Sequence, residues 1–305
     1  MGINAVRMLT AAFVVGFAAP VSADASQLIT RDATRARLAV DTNGQALITY
    51  RQRGSTRHVL AWGAINAAPP ARATRQVEFK LDYSGGWGTQ RRHVWKGFVN
   101  SCRRYDGPPL QWLVAACKAP DGTYWALQRW QRSLRNVGLA PRTAIQRSWD
   151  LRLSHWSGDP PKLWISMDWA YPQRYHHLFG SFAYAGSGVY GFRSTSAGDP
   201  LDPFGRNLYV DTYNSAYGPG WRRENSFLTH RPGGTFCYGF YPNQNGMGRP
   251  SGMGTRYRAT IIGPGVTPDA YWEAAAPGPF DPELDRQAHE LQRSLFANDS
   301  VCKPL

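Results

Sequence analysis

The sequence of 305 residues lacks the short motifs by which many enzyme classes are recognised. It contains no G-x-S-x-G nucleophile elbow, no phosphate-binding Walker loop and no glycine-rich dinucleotide fingerprint. It also lacks a C-x-x-C pair, which argues against a cysteine-ligated zinc site. These absences argue against the commonest nucleotide-dependent and serine-hydrolase families, and they leave other kinds of catalysis open.

Long apolar runs are also absent, apart from one near the start of the sequence. There Arg7 precedes an uncharged, mostly apolar stretch over residues 8–21, which leads into two small-residue triplets, Val21-Ser22-Ala23 and Ala23-Asp24-Ala25. A basic start, a short apolar core and an A-x-A-like end are typical of a secretory signal peptide, and the stretch is short for the roughly 30 Å of a membrane core. We therefore expect residues 1–25 to be a signal peptide, cleaved after Ala23 or Ala25, and the exported product to have no transmembrane segment.

Acidic residues are scarce, since 21 stand against 35 basic ones and the formal net charge is +14. Such a charge predicts attraction to a polyanion, for example a phosphate-rich cell wall, anionic lipid, acidic polysaccharide or nucleic acid. The arginines are scattered in ones and twos, however, so an arginine-rich composition solvated all around the surface explains them as well. The charge narrows the choice of partner without selecting one, and it identifies no protein partner.

Cysteines number only four, which suits a protein of an oxidising compartment. We favour a Cys102–Cys117 disulfide, because both residues flank a proline-containing turn and closing a loop of this size contributes about 3 kcal/mol in the chain-entropy model. Cys237 and Cys302 then pair by elimination and fasten the C-terminal tail to the body. Buried free thiols are the alternative, and four cysteines allow three connectivities.

Helix-forming segments are rare, and short strands with tight turns fill most of the chain. Asn43-Gly44 separates two apolar runs, as in a hairpin, and the apolar residues of 77–83 alternate with polar ones. Five turn-flanked strand pairs are predicted, over residues 38–50, 110–130, 149–169, 177–193 and 227–241. This pattern indicates an all-β fold of two antiparallel β-sandwich-like units with one C-terminal helix.

We place the two β units at residues 26–140 and 141–270, followed by a helix and tail at 271–305. The helix is predicted because Asp281 can cap its N-terminus and Pro282 fits its first turn. We expect its apolar face to dock on a sheet, and that face carries Leu284, Ala288, Leu291 and Leu295.

A repeated pattern of aromatic and basic residues links the two units. Tyr83-Ser84-Gly85-Gly86-Trp87 precedes Arg91-Arg92, and Tyr217-Gly218-Pro219-Gly220-Trp221 precedes Arg222-Arg223. Duplication and chance likeness of glycine-rich turns explain this pattern equally well. An exposed Trp beside arginines suits a sugar ring, because C–H bonds stack on the π face and hydroxyls bond the polar neighbours. We therefore predict a binding surface at solvent-facing loops, formed by Trp87, Arg91, Arg92, Trp221, Arg222 and Arg223. The alternative is that these tryptophans fill sandwich cores, and we expect at least one of the two rings to be buried.

Catalytic candidates are limited to three carboxylates, Asp168, Asp211 and Glu224. Acid/base hydrolysis needs two carboxylates in one cleft, one of them in drier surroundings. Asp168 lies in a very aromatic strand, where it could be partly desolvated, so a glycosidase-like pair can be drawn from the three. The structural alternative places Asp168 and Asp211 on solvent faces and pairs Glu224 with an arginine.

No metal and no other cofactor is predicted. His176 and His177 are adjacent in a predicted strand, and neighbours in a strand point to opposite faces, so they are unsuited to holding one ion together. The sequence from His289 to Arg293 resembles a zincin helix, but it ends in Arg where the second histidine ligand is required. We interpret it as a turn of a surface helix.

Two stretches resemble blocks in a group of exported proteins of high-GC bacteria that has no assigned activity. They are HVLAWGAINA at residues 58–67, and a longer stretch at residues 205–227 that contains GRNLYVD and YGPGWRRENSF. The resemblance implies export, and it carries over neither a catalytic residue nor a ligand.

These features predict an exported, non-enzymatic protein, secreted or associated with the cell wall, that binds an anionic or glycan surface of the cell envelope. The alternative is a secreted hydrolase that uses carboxylates on polysaccharide, so the sequence leaves open whether the chain is an enzyme.

Overall fold

A computed structural model describes residues 26–68, 76–133, 136–137, 148–171, 173–189, 208–224, 234–242 and 250–295. The predicted signal peptide falls outside these ranges. No helix within them is both long and apolar enough to span a membrane. About 50% of the described residues are in strands and 10% are in helices, which confirms the all-β prediction.

Sheets A and B contain most of the strands of the first half of the chain. Sheet A has the spatial order β1 (Gln27–Arg31), β10 (Ser148–Trp156), β8 (Tyr124–Ser133), β7 (Leu113–Lys118) and β6 (Arg103–Arg104). Sheet B has the order β2 (Thr34–Val40), β3 (Ala46–Gln52), β4 (Ser55–Trp62) and β5 (Lys80–Asp82). A single helical turn, α1 (Trp87–Gln90), and a 3₁₀ turn (Val94–Lys96) follow β5.

Sheets C and D contain most of the strands of the second half. Sheet C has the order β18 (Ala270–Ala275), β17 (Arg256–Ile261), β14 (Leu208–Ser215), β15 (Gly218–Glu224) and β9 (Asn136–Val137). Sheet D has the order β11 (Lys162–Ala170), β12 (Tyr175–Tyr184) and β13 (Ser187–Gly188), and β16 (Thr235–Gly239) also pairs with β12. Every described strand pair is antiparallel except the short parallel pair of β9 with β15. The C-terminal helix is α2 (Pro282–Leu295).

The described sheets form two apolar cores, one shared by sheets A and B and the other by sheets C and D. Sheets A and B share a core that includes Ile48, Val59, Leu127 and Leu153. Sheets C and D share a second core that includes Leu178, Val210, Phe236 and Tyr257. Two sandwich-like units therefore account for most of the buried apolar residues in the described part of the chain.

Local hairpin signals predicted some of the neighbouring strand pairs. The pairs β2–β3 and β7–β8 confirm two of the predicted hairpins. A hairpin of β12 with β13 is also present, but residues 190–193 of the predicted range lie outside the described residues. The predicted hairpin over residues 149–169 is wrong, because β10 pairs with β8 and β1 while β11 pairs with β12. The connection contains Pro160-Pro161, whose nitrogens cannot donate to a ladder, and Ser157 bonds the Asn66 side chain instead. The predicted hairpin over 227–241 lies partly outside the described residues.

The limits of the two units stay a prediction. Strand β10 follows residue 140 in the sequence, but it belongs to sheet A together with β1 and β8. No further observation tests the proposed ranges 26–140, 141–270 and 271–305.

The Cys102–Cys117 disulfide is present, with 5.5 Å between the two Cα atoms. It joins strand β7 to the chain that enters β6, at the edge of sheet A. Cys237 is also disulfide-bonded, and Cys302 lies outside the described residues, so the pairing of these two stays a prediction.

Helix α2 begins as predicted, but it docks on sheet D by a face rotated from the predicted one, and of the predicted residues Ala288 and Leu295 are half-buried. Asp281 Oδ1 accepts hydrogen bonds from the backbone N–H groups of Glu283 (2.8 Å) and Leu284 (3.2 Å), which confirms the cap. Leu284 is 64% exposed and Leu291 is 48% exposed, whereas Gln292 is fully buried. Strand β11 carries the buried carboxylate of Asp168, and a buried charge requires hydrogen-bond donors, so the polar face of the helix packs against it.

Candidate functional site

The candidate site is built around Asp82, the last residue of β5. The Asp82 carboxylate fixes the conformation of the chain around α1. Its carboxylate accepts hydrogen bonds from the backbone N–H of Ser84 (2.9 Å), the backbone N–H of Thr89 (2.9 Å) and the Thr89 hydroxyl (2.7 Å). Burial acts to raise the pKa of Asp82, but the hydrogen bonds from Ser84 and Thr89 outweigh it and lower this pKa to about 2. Asp82 is therefore ionised at neutral pH and holds residues 82–89 in one conformation.

Two glycines make this turn possible. Gly85 and Gly86 both have positive φ, at 65° and 108°. A Cβ atom on Gly85 would lie 2.8 Å from the Trp95 ring, and one on Gly86 would lie 2.2 Å from a methyl group of Val94. Since only glycine fits both positions, this turn fixes the backbone that presents Trp87 at the surface, where its side chain is 51% exposed.

Four aromatic side chains form a continuous row beside this turn, which we name the aromatic row. The Trp87 and His93 rings stack with centroids 5.2 Å apart, and His93 lies 5.9 Å from Trp95. Trp95 in turn stacks on His58 of β4 at 4.4 Å and 3°. The row therefore runs from the rigid sheet B to the exposed Trp87.

A groove of about 580 Å³ opens next to the aromatic row, and His93 belongs to both. One wall is the β2–β3 turn at residues 41–45, and the other is the segment 90–101. The second wall is fastened to β2, because the Ser101 N–H donates to the Val40 carbonyl (2.7 Å) and the Val40 N–H donates to Asn100 Oδ1 (3.0 Å). Both walls thus stand on strands of one sheet, which makes the groove a preformed feature.

The groove lining is part apolar and part polar, and its polar groups can contact a ligand. The Gln90 amide donates to Gln45 Oε1 and accepts from Arg92, in both cases at 3.4 Å, close to the limit for a hydrogen bond. Contacts of this length are weak, so these amide and guanidinium groups can exchange them for bonds to a ligand. Asp41 is committed to its own turn, since its Oδ1 accepts from the N–H groups of Asn43 and Gln45, both at 2.9 Å.

The chain around the groove is strongly basic. Residues 83–104 contain no acidic residue and five basic ones, Arg91, Arg92, Lys96, Arg103 and Arg104. All five side chains are exposed. The potential at this end of sheet B therefore favours an anion.

The other half of the predicted binding surface lies in a different setting. Trp221, Arg222 and Arg223 belong to strand β15, so the prediction of a solvent-facing loop is wrong for these three residues. The Trp221 ring is partly buried, with the Arg258 guanidinium 4.3 Å from its centroid and the Tyr213 ring at 5.1 Å. Neither tryptophan is fully buried, contrary to expectation, because Trp87 is half exposed and Trp221 is covered mainly by charged and aromatic neighbours.

Arg223 is internal and pairs with a candidate catalytic residue. Its Nε lies 2.5 Å from Asp211 Oδ1, and Arg258 Nε lies 2.5 Å from Asp211 Oδ2. Burial acts to raise the pKa of Asp211, but the two guanidinium groups hold it below its usual value. An ionised carboxylate held between two arginines is unsuited to donating or accepting protons in catalysis.

Asp168 is buried as well, and the suggestion that it lies on a solvent face is wrong. Its Oδ1 lies 2.7 Å from His177 Nδ1, and its Oδ2 accepts from the Gln292 amide at 2.9 Å. Asp168 and Asp211 therefore bind different partners in sheets D and C. The side chain of Glu224 lies outside the described residues.

A second aromatic surface lies at the end of sheet D, and it was not predicted from the sequence. Tyr171, Tyr175 and Tyr241 are mutual neighbours, with ring centroids 5.6 to 6.4 Å apart, and Arg174 is adjacent. They line a cavity of about 130 Å³. The available signal was a set of tyrosines at strand ends, but only the pairing of β16 with β12 brings Tyr241 to the other two.

Comparison with known proteins adds no relative, since no family model, no curated protein and no solved structure matches the chain.

Proposed function

We propose that this chain is an exported, non-enzymatic protein that binds an anionic glycan of the cell envelope in the groove between residues 41–45 and 90–101. The observation that carries the proposal is the half-exposed Trp87 at one end of an aromatic row that adjoins this polar, basic groove. The resemblance to exported proteins and the predicted signal peptide support the location.

The chemistry of the groove suits a sugar. An aromatic face accepts the C–H bonds of a pyranose ring, while the amides of Gln45 and Gln90 and the guanidinium of Arg92 bond its hydroxyls or carboxylates. A volume of about 580 Å³ lies within the usual range of ligand sites, roughly 300–1,000 Å³. The basic segment 83–104 favours acidic over neutral polysaccharide.

The lining supports binding over hydrolysis. Among the described residues that line the groove, Asp41 is the only carboxylate, and its Oδ1 is committed to the β2–β3 turn. Hydrolysis of a glycosidic bond normally needs two carboxyl groups flanking the bond. Asp168 and Asp211 are both buried behind other partners, so no observation favours the hydrolase.

The proposal is tested by sedimenting the protein with purified cell wall at low and high salt, and by assaying the supernatant for released sugars. We expect binding that weakens as salt rises, because ions screen exposed charges, and no release of sugar. An Arg91→Gln/Arg92→Gln double variant should bind more weakly than the wild type.

The matched control removes the same charge elsewhere. Arg53 and Arg57 are exposed at the β3–β4 turn, at the opposite end of sheet B from the groove. An Arg53→Gln/Arg57→Gln variant should bind as the wild type does. Equal weakening of both variants would show that charge spread over the whole surface is responsible, and release of sugar would identify a hydrolase; either result contradicts the proposal.

A further inference from the structure

Helix α2 and strand β11 bring together three residues with the chemistry of metal ligands. They are Asp168 on the strand and Asp285 and His289 on the helix, and one ligand atom from each lies within 4.8 Å of the others. Asp285 and His289 are four residues apart, so they project from the same face of α2. Neither His176 nor His177 belongs to this group: His176 Nδ1 lies 2.5 Å from the Tyr257 hydroxyl, and His177 contacts Asp168.

Each carboxylate is oriented by hydrogen bonds and turns its Oδ2 atom towards His289, and Asp168 Oδ2 also accepts from the Gln292 amide at 2.9 Å. Asp168 Oδ1 is bonded to His177 Nδ1 at 2.7 Å, and Asp285 Oδ1 accepts the Trp169 backbone N–H at 3.1 Å. The two Oδ2 atoms lie 3.0 Å and 3.7 Å from His289 Nε2. Metal sites are commonly built this way, with outer hydrogen bonds that orient each ligand.

The polar groups at the centre are incompletely satisfied. His289 Nε2 is buried and close to Asp168 Oδ2, but it makes no hydrogen bond in the described part of the chain. Gln292, which is fully buried and donates to Asp168, has an unpartnered Oε1 atom. A buried polar atom without a partner is unfavourable, so two such atoms beside the three candidate ligands support a bound group at this place.

The spacing fits a small divalent cation. Zinc bonds to nitrogen and oxygen of about 2.0–2.1 Å place tetrahedral ligands roughly 3.3–3.4 Å apart. The separations of 3.0 Å and 3.7 Å lie on either side of that value. A histidine nitrogen with two carboxylates favours zinc or a similar transition metal, whereas magnesium and calcium prefer oxygen ligands alone.

We propose that Asp168, Asp285 and His289 bind a zinc-like divalent cation that joins the C-terminal helix to sheet D. Gln292 Oε1 or water completes the coordination. The inference departs from the expectation that no metal is bound, and from the interpretation of His289 as part of a surface turn. It also explains why α2 exposes Leu284 and Leu291 and turns its polar face to the sheet.

The experiment is a titration of the metal-stripped full-length protein with ZnCl₂, followed by calorimetry and elemental analysis after dialysis. We expect one zinc per chain, a higher melting temperature with zinc than with a chelator, and little response to MgCl₂. His289→Gln and Asp285→Asn should each lower the affinity at least tenfold. His177→Gln should weaken binding by roughly 10- to 100-fold, as losses of outer partners do.

The exposed His93 supplies the matched control for adventitious binding at surface histidines. His93→Gln should keep one tight zinc per chain. Circular dichroism establishes that each variant folds, and the nearly isosteric Asp285→Asn variant serves if His289→Gln does not fold. Zinc bound with equal affinity by folded Asp285→Asn, loss of zinc only in His93→Gln, or no tight zinc in the wild type would each overturn the proposal.

Discussion

Removing the Asp211 carboxylate by an Asp211→Ala substitution is expected to lower the free energy of unfolding by about 3–5 kcal/mol. The Asp211 side chain is only 1% exposed, and it neutralises Arg223 and Arg258, whose side chains are 2% and 9% exposed. Without it, two guanidinium groups remain inside sheet C with no opposite charge between them. Urea denaturation of wild type and variant at neutral pH measures the difference.

The matched control is a surface ion pair. Asp159 and Lys162 lie 3.2 Å apart, but their side chains are 75% and 77% exposed. Solvent screens such a pair, so Asp159→Ala should cost less than about 1 kcal/mol. Similar small losses in both variants would contradict the account of Asp211 as a structural residue, and would return it to the set of candidate functional carboxylates.

Acidification is expected to destabilise the fold through His155 before most carboxylates titrate. The His155 ring is buried, stacks on Trp125 at 3.8 Å and lies 2.8 Å from the Thr123 hydroxyl. Burial lowers the pKa of His155 from 6.5 to about 4, although the Ala64 carbonyl and Asp121 oppose this effect. The unfolded chain therefore binds a proton first as pH falls, and the free energy of unfolding decreases between pH 6.5 and pH 4. A pKa difference of this size between the folded and unfolded chain corresponds to a loss of about 3 kcal/mol in the free energy of unfolding.

The measurement is the free energy of unfolding at pH 7 and pH 4.5 for the wild type and for His155→Gln, which does not titrate. Burial raises the pKa of Asp269, so its contribution to the free energy of unfolding increases as pH falls. This contribution is the same in both proteins and cancels when they are compared. We expect a larger loss on acidification for the wild type than for the variant. His93→Gln, which alters an exposed ring, should behave as the wild type does. Equal losses in wild type and His155→Gln would contradict the role of His155.

The sequence predicted the local structure well where a turn or cap carries its own signal. Asn43-Gly44 marks the β2–β3 turn, and Asp281 caps α2. The pairing of strands that are distant in sequence, such as β1 with β10, was not predictable, because backbone hydrogen bonds between strands do not require particular side chains. For the same reason the local pattern around Pro160-Pro161 indicates a hairpin, although this connection carries the chain from sheet A to sheet D.

The candidate site was only half predictable. Trp87 and Arg92 stood out as an aromatic–basic pattern, but the facing wall at residues 41–45 is remote in sequence and becomes part of the site through β2. Trp221 has a similar local sequence and a different environment, since Arg258 of β17, on the far side of β14, reaches across to cover its ring. Likewise, Leu284 and Leu291 predicted an apolar docking face of α2, whereas the adjacent face with Asp285, His289 and Gln292 contacts sheet D, where the buried Asp168 lies.

A calorimetric titration of wild type and Trp87→Ala with soluble acidic cell-wall polysaccharide tests whether Trp87 and the groove bind an anionic glycan. Because the variant lacks the ring on which the sugar stacks, we expect its binding to be at least tenfold weaker, or about 1.4 kcal/mol. Because half of the Trp87 side chain is exposed, we expect its melting temperature to be nearly unchanged. Trp221→Ala, which removes a partly buried ring, should bind normally but melt at a lower temperature. Unchanged affinity in Trp87→Ala, or a loss of about 3–5 kcal/mol of stability as for a core tryptophan, would contradict glycan binding by an exposed Trp87.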